Sequence, residues 1–176
     1  MATPSADAKV ASSFFQRDAP MSDTSHLIDA IRDMLLDCGL FDTLDRSDVQ
    51  TAAGYFNLNR INEGTAIFSE GDAGTFMCIL VQGSVSIRKS NASGDEVEVT
   101  RLRRGRAFGE MAVLDGERRS ASCVATCDCV LLSLGKDALD KMLQESPRTA
   151  AQVIRAIAVG MSRRLRMADG RLVNQP

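Results

Sequence analysis

The sequence predicts an α+β fold in which a small antiparallel barrel or jelly roll lies between helical segments. Three observations predict it. Short strand-like runs, punctuated by glycine, follow one another at close intervals between residues 57 and 134. Apolar residues at helical spacing occupy both flanks. The balance of 44% hydrophobic and 25% charged residues is that of a globular chain, and 176 residues suit one domain with extra helices or a tail. Aromatic content is low at 5%, so aliphatic side chains and Met must fill the core.

Residues 1–22 are rich in Ala, Ser, Asp and Pro without a steady period, which predicts a flexible arm. From Thr24 to Cys38, Leu27, Ile28, Ile31, Met34 and Leu35 recur at helical spacing between a Ser/Thr start and Gly39. Asp45 or Ser47 begins a second short helix reaching to about Phe56, and the pair forms a lead-in over 23–56. Strands are then expected at 57–61, 66–68, 76–81 and 84–89, and around Val97, Val99 and Leu102. Turns are expected at Glu63-Gly64, Glu70 to Gly74, Gly83 and Asn91 to Asp95. The last strands, 122–125 and 129–134, close a strand-rich region spanning 57–134. Lys136 to Glu145 reads as a helix with Ala138, Leu139, Met142 and Leu143 on one side. Pro147 suits the first turn of a final helix, which carries Val153, Ile157, Met161 and Leu165 at every fourth position and runs to about residue 168. Residues 169–176 read as a tail.

Several function classes are disfavoured. A net charge of −2 argues against broad electrostatic attraction to nucleic acid. The longest apolar run, Phe76 to Val81, is far too short to span a bilayer, so no membrane insertion is expected. Five cysteines without a preceding signal peptide predict free thiols in a reduced cytoplasm. Cys123, Cys127 and Cys129 cluster in strand-like sequence, on one face by period-two alternation; with no second cluster and His26 remote, they read as buried small apolar residues and not as metal ligands. No enzyme is expected, because no nucleophile or histidine accompanies the one prominent carboxylate, Glu110.

That carboxylate belongs to the most informative stretch of the chain: Phe108-Gly109-Glu110-Met111-Ala112, followed by Arg119-Ser120-Ala121-Ser122. The spacing resembles the phosphate-binding cassette of the cyclic nucleotide-binding domain family. The glycines at 64, 71, 74 and 83 resemble those that bend the strands of that family's eight-stranded roll. The resemblance covers residues 24–168. It implies an eight-stranded antiparallel β-roll flanked by N-terminal helices and two C-terminal helices over 136–168, the last a lid, with the cassette at 108–122 inside a domain spanning 23–168.

It also implies a ligand with one phosphate charge and a ribose. Glu110 can accept a hydrogen bond from a 2′-hydroxyl, and Arg119 can pair bidentately with the exocyclic phosphate oxygens. Gly109 lets the backbone approach the sugar, amides at the start of a short helix at 110–114, including that of Ala112, point at the phosphate, and Ser120 and Ser122 offer hydroxyls beside the slim Ala121. Ile87, Val97, Val99 and Met111 are candidates for the base side, with ordinary core as the other reading. Gly160, Met161, Arg163 and Arg164 are candidates for the lid; Gly160 reads as a hinge or as a packing position.

The expected ligand is cyclic AMP, with cyclic GMP as an alternative since Ser120 excludes neither, and no metal is expected. The chain leaves no room for a helix-turn-helix domain after its last helix, so direct DNA binding is not expected, and an unidentified effector protein would read out a shift of the last helices. The apolar stripe on the last helix also suits a homodimer. Two other functions stay open: a larger ligand such as cyclic di-GMP, suggested by Arg101, Arg103, Arg104 and Arg106, and a ligand-free interaction module that kept the fold.

Overall fold

The computed structural model describes residues 24–173, and side chains to residue 170. The arm expected at 1–22 lies outside the described residues. The described residues open with helices α1 (Thr24–Asp37) and α2 (Arg46–Ala53). Six strands follow: β1 (Asn57–Ile61), β2 (Ala66–Phe68), β3 (Phe76–Gln82), β4 (Val85–Ser90), β5 (Glu96–Leu102) and β6 (Ala107–Phe108). A short helix α3 (Glu110–Asp115) precedes β7 (Ser122–Ala125) and β8 (Cys129–Gly135), and α4 (Lys136–Glu145) and α5 (Pro147–Val173) complete the described elements.

The eight strands form two four-stranded antiparallel sheets, ordered β1-β8-β3-β6 and β2-β7-β4-β5. Strand alternation sorts the core into two layers. Phe76, Cys78 and Leu80 of β3 and Cys129 and Leu131 of β8 join Ile67, Phe68, Val85 and Phe108 in the roll interior. Met77 and Ile79 of β3 and Leu132 and Leu134 of β8 face the other way, into a second cluster with α1, α2, α4 and α5. Because both faces of β3 are covered, its sequence is a continuous apolar run and not an alternating one.

Local chemistry sets the helix ends. Asp45 is the N-cap of α2, accepting from the Asp48 amide at 2.8 Å and from the Ser47 hydroxyl at 2.7 Å. The helix stops at Ala53, short of the expected Phe56, because the amides of Gly54, Tyr55 and Phe56 bond three residues back and tighten the chain into a turn. In the opposite sense, α5 continues to Val173 through the segment read as a tail. The apolar period fades after Leu165, but Arg, Leu, Met and Ala are good helix formers, and Gly170 alone does not stop the helix. Cys123 and Cys129 are buried on strands of different sheets, while Cys127 sits half-buried in the turn between them, so the expected single face does not exist. Among the described residues no group of His, Cys, Asp or Glu is placed to hold a metal ion, and no helix is long and apolar enough to cross a membrane.

Candidate functional site

The site is built on the β6–α3 junction and the loop before β7. Gly109 ends β6 and caps α3 with φ +74, a conformation that L side chains avoid. A Cβ there would lie 2.7 Å from Nη1 of Arg119 and 3.0 Å from the Phe68 ring. Gly109 is therefore needed for the space that Arg119 occupies, and its carbonyl accepts from Arg119 Nη1 at 2.9 Å.

Arg119 is buried, 3% exposed. Its guanidinium carbon lies 3.9 Å from the centre of the Phe68 ring and 4.7 Å from that of Phe76. In a desolvated setting such cation–π contacts contribute up to about 2 kcal/mol. The backbone of Arg119 is held by the glycine-rich loop after β2: its amide donates to Asp72 O at 2.8 Å, and the Gly71 amide donates to Arg119 O at 2.9 Å. Arg118 adds a bond to Gly71 O at 2.7 Å. Gly74 completes the loop, since a Cβ there would meet the Cβ of Ala112 at 2.0 Å. The loop thus buttresses both Arg119 and α3.

Glu110, the first residue of α3, is equally buried at 3%. Oε1 accepts from Nη2 of Arg164 on α5, whose Nη1 donates to Ala107 O at 2.9 Å. Oε2 is buried and accepts no hydrogen bond from any described residue. A buried carboxylate oxygen without a donor costs about 1–3 kcal/mol, so this atom favours an incoming donor.

Glu110 and Arg119 line one cavity of about 560 Å³, within the size range of small-molecule sites. Gly109, Met111, Ala112, Ser120, Ala121 and Ile87 line it too. From α5 come Met161 and Arg164 together with Ser162, Leu165 and Ala168. Strands of the roll add Phe68, Thr100, Leu102, Phe108 and Cys123. Burial pushes the Cys123 thiol well above its usual value, against a smaller opposing pull from Arg119.

Five expected residues are not in the lining. Val97 and Val99 are exposed, at 49% and 60%. They lie on β5, the edge of its sheet, where pairing passes from Ile87↔Thr100 to Arg88↔Glu98. This bulge leaves Val99 as the extra residue and breaks the strict alternation assumed from the sequence, so Thr100 and Leu102 take the inward places. Ser122 instead accepts from the Glu70 amide at 2.9 Å, a staple for the buttressing loop. Of the lid candidates, Arg163 and Gly160 face a separate groove, and a Cβ on Gly160 would rest 3.4 Å from Leu40 Cδ1 of the α1–α2 turn. The missed residue Ala168, and Leu165 (expected only as part of an apolar stripe), follow Met161 at spacings of four and three, a helical face visible in the sequence. Thr100 was hidden by the bulge.

The sequence of the site region matches a model of the cyclic nucleotide-binding domain over residues 58–146. The chain belongs to the cyclic nucleotide-binding domain family. It is 34% identical over 130 residues to the cyclic AMP receptor protein of Thermus thermophilus, covering 74% of this chain and 58% of that protein. It is 34% identical over 91 residues to the cAMP-dependent protein kinase regulatory subunit of Mycosarcoma maydis, 52% of this chain and 17% of that one. The domain therefore spans about half or less of the length of these relatives. Among solved structures, a cyclic nucleotide-binding domain from Methylobacillus flagellatus has the same fold, with a TM-score of 0.74 at 23% identity over 86% of this chain and 84% of that one. The Thermus thermophilus catabolite activator protein superposes with a TM-score of 0.66 at 34% identity, over 76% of this chain and 61% of that chain.

Proposed function

We propose that this protein is a cyclic nucleotide sensor, that cyclic AMP is its ligand, and that it signals through a protein partner when α5 shifts on binding. The observation that carries the reading is a buried carboxylate with one oxygen bare of donors, facing the same cavity as a buried guanidinium set against the Phe68 and Phe76 rings. In this reading Arg119 forms charge-assisted hydrogen bonds with the cyclic phosphate, and Glu110 Oε2 accepts the ribose 2′-hydroxyl. Ile87, Leu102 and Met111 on one side, with Met161 and Leu165 on the other, enclose the purine. The names of the relatives, a cyclic AMP receptor protein and a cAMP-dependent kinase regulatory subunit, support the choice of ligand.

The cavity includes five residues of α5, so bound ligand and helix position are linked. A ligand that prefers one placement of α5 shifts the population toward it, and a partner that reads α5 then senses the ligand. None of Arg101, Arg103, Arg104 and Arg106, the residues behind the larger-ligand alternative, lines the cavity that holds Glu110 and Arg119, which favours the single-phosphate reading.

Calorimetric titration with cyclic AMP, cyclic GMP and cyclic di-GMP tests the proposal. Cyclic AMP is expected to bind most tightly. Arg119→Ala is expected to weaken it by about tenfold or more while the fold persists, the worth of one hydrogen bond to a charged group. Glu110→Gln is expected to reduce the preference for ribose over 2′-deoxyribose ligands. Equal affinity in parent and Arg119→Ala would overturn the assignment, and an unchanged melting temperature with saturating cyclic AMP would favour a ligand-free module.

A further inference from the structure

On the far side of α5 from the nucleotide cavity lies a second groove of about 340 Å³, lined by residues of the α1–α2 turn, the β5–β6 turn and α5. Three arginines face it: Arg104 and Arg106 from the turn and Arg163 from the helix. One carboxylate, Asp42, shares the lining. Arg104 also reaches Asp37 at 3.2 Å, but this pair is exposed on both sides and easily exchanged. Among the described residues neither Arg106 nor Arg163 has an ion pair.

The turn that carries two of these guanidiniums is rigidly placed. Gly105 donates to Leu80 O at 2.7 Å, and Leu80 donates to Arg106 O at 2.9 Å, so β3 holds the turn on both sides of Arg106. Gly105 adopts φ +82, and a Cβ there would meet Cys38 O at 2.9 Å, which brings the turn close against the end of α1. Clustered guanidiniums on a fixed frame and a concave surface favour a compact multivalent anion, because each can form forked hydrogen bonds with phosphoryl oxygens.

We propose that this groove is a second anion site, specific for a diphosphoryl group, in which the anion bridges Arg106 on the turn to Arg163 on α5 and clamps the helix. The placement gives the clamp a direct route to the nucleotide cavity. Ala107 follows Arg106 and accepts from Arg164, the neighbour of Arg163, and Arg164 also holds Glu110. An occupied groove therefore stabilises α5 where it lines the nucleotide cavity, and anion and cyclic nucleotide reinforce one another reciprocally. The site's own chemistry does not depend on the identity of the first ligand; the clamp's coupling rests on the sensor reading.

The test is calorimetric titration of the whole chain with inorganic pyrophosphate, and in parallel with ADP, without cyclic nucleotide. Saturable binding of pyrophosphate is expected, with Arg106→Ala and Arg163→Ala each weakening it by about tenfold. Arg119→Ala is expected to leave it unchanged. ADP binding as tightly as pyrophosphate identifies a nucleotide-borne diphosphate as an equal source. Saturating pyrophosphate is expected to raise cyclic AMP affinity by about fivefold. Absent saturable binding, equal affinity in the Arg106 and Arg163 variants, or loss of binding in Arg119→Ala (which would put pyrophosphate in the nucleotide cavity) overturns the proposal. So does a cyclic AMP affinity indifferent to pyrophosphate in a protein that binds both. Because pyrophosphate is titrated alone, failure of the sensor reading does not imitate failure of the groove.

Discussion

Arg164 on the last helix and Glu110 at the start of α3 form an ion pair across 54 positions of sequence. Glu110 is buried and Arg164 is about a third exposed, so the pair sits at the mouth of the cavity, where α5 meets the cassette. The same guanidinium bonds Ala107 O. One side chain thus ties the last helix to both ends of the β6–α3 junction.

Arg164→Ala removes both bonds and leaves a buried carboxylate without its cation. The expected loss is about 1–3 kcal/mol of stability, measured by urea denaturation. Hydrogen exchange is expected to quicken across residues 161–170 in particular. Unchanged protection there would show that Arg164 does not hold the helix.

Gly109→Ala is expected to cost at least about 1–2 kcal/mol from the left-handed backbone alone. The added methyl also meets Arg119 Nη1 at 2.7 Å, so the guanidinium must move. Loss of stability and loss of cyclic AMP affinity are expected together. A variant with parental affinity would show that the position of Arg119 tolerates displacement.

Gly160→Ala is expected to stabilise the protein by about 0.5–1 kcal/mol through helix propensity. The new methyl makes an ordinary contact with the flexible end of Leu40, at 3.4 Å. Thermal denaturation checks it; a clear loss of stability would mean that the α1–α2 turn cannot yield even slightly.

Asp45→Asn keeps the cap acceptor of α2 and removes its charge. The Asp48 amide, then the Ser47 hydroxyl and Arg148, hold the Asp45 carboxyl below its usual value in the folded chain. A lowered folded-state pKa stabilises above the unfolded value and loses that contribution as pH falls through the folded one. The parent is therefore expected to melt above the variant near neutral pH, with the two converging in acid, below about pH 3.9. A difference independent of pH would assign the cap to geometry alone.

Much of this molecule was legible in its residues. The limits of α4 and the start of α5 follow from proline and apolar spacing, and the cassette string from Phe108 to Ser122 carried the family. These signals are local: a turn type, a helix period or a run of small residues is encoded within a few positions. Where the reading failed, the cause was non-local. Val97 and Val99 alternate as an inward face should, but the bulge opposite Ile87 and Arg88 is set by pairing between strands, and it sends Thr100 inward instead. Ser122 was read as a ligand hydroxyl from its place in the cassette string; its hydroxyl oxygen accepts from the Glu70 amide, 52 positions away.

The sequence by itself determined that a roll with flanking helices would form and that Glu110 and Arg119 would stand in one motif, because periodicity and glycine placement are short-range constraints on backbone conformation. Only the tertiary structure decided what those two side chains meet. Phe68 and Phe76 enclose the guanidinium, Arg164 takes one carboxylate oxygen, and the last helix closes the cavity, all through packing between elements distant in the chain. Burial and its desolvation cost arise from that packing, and they turn a charged pair in a motif into a pocket suited to a charged guest.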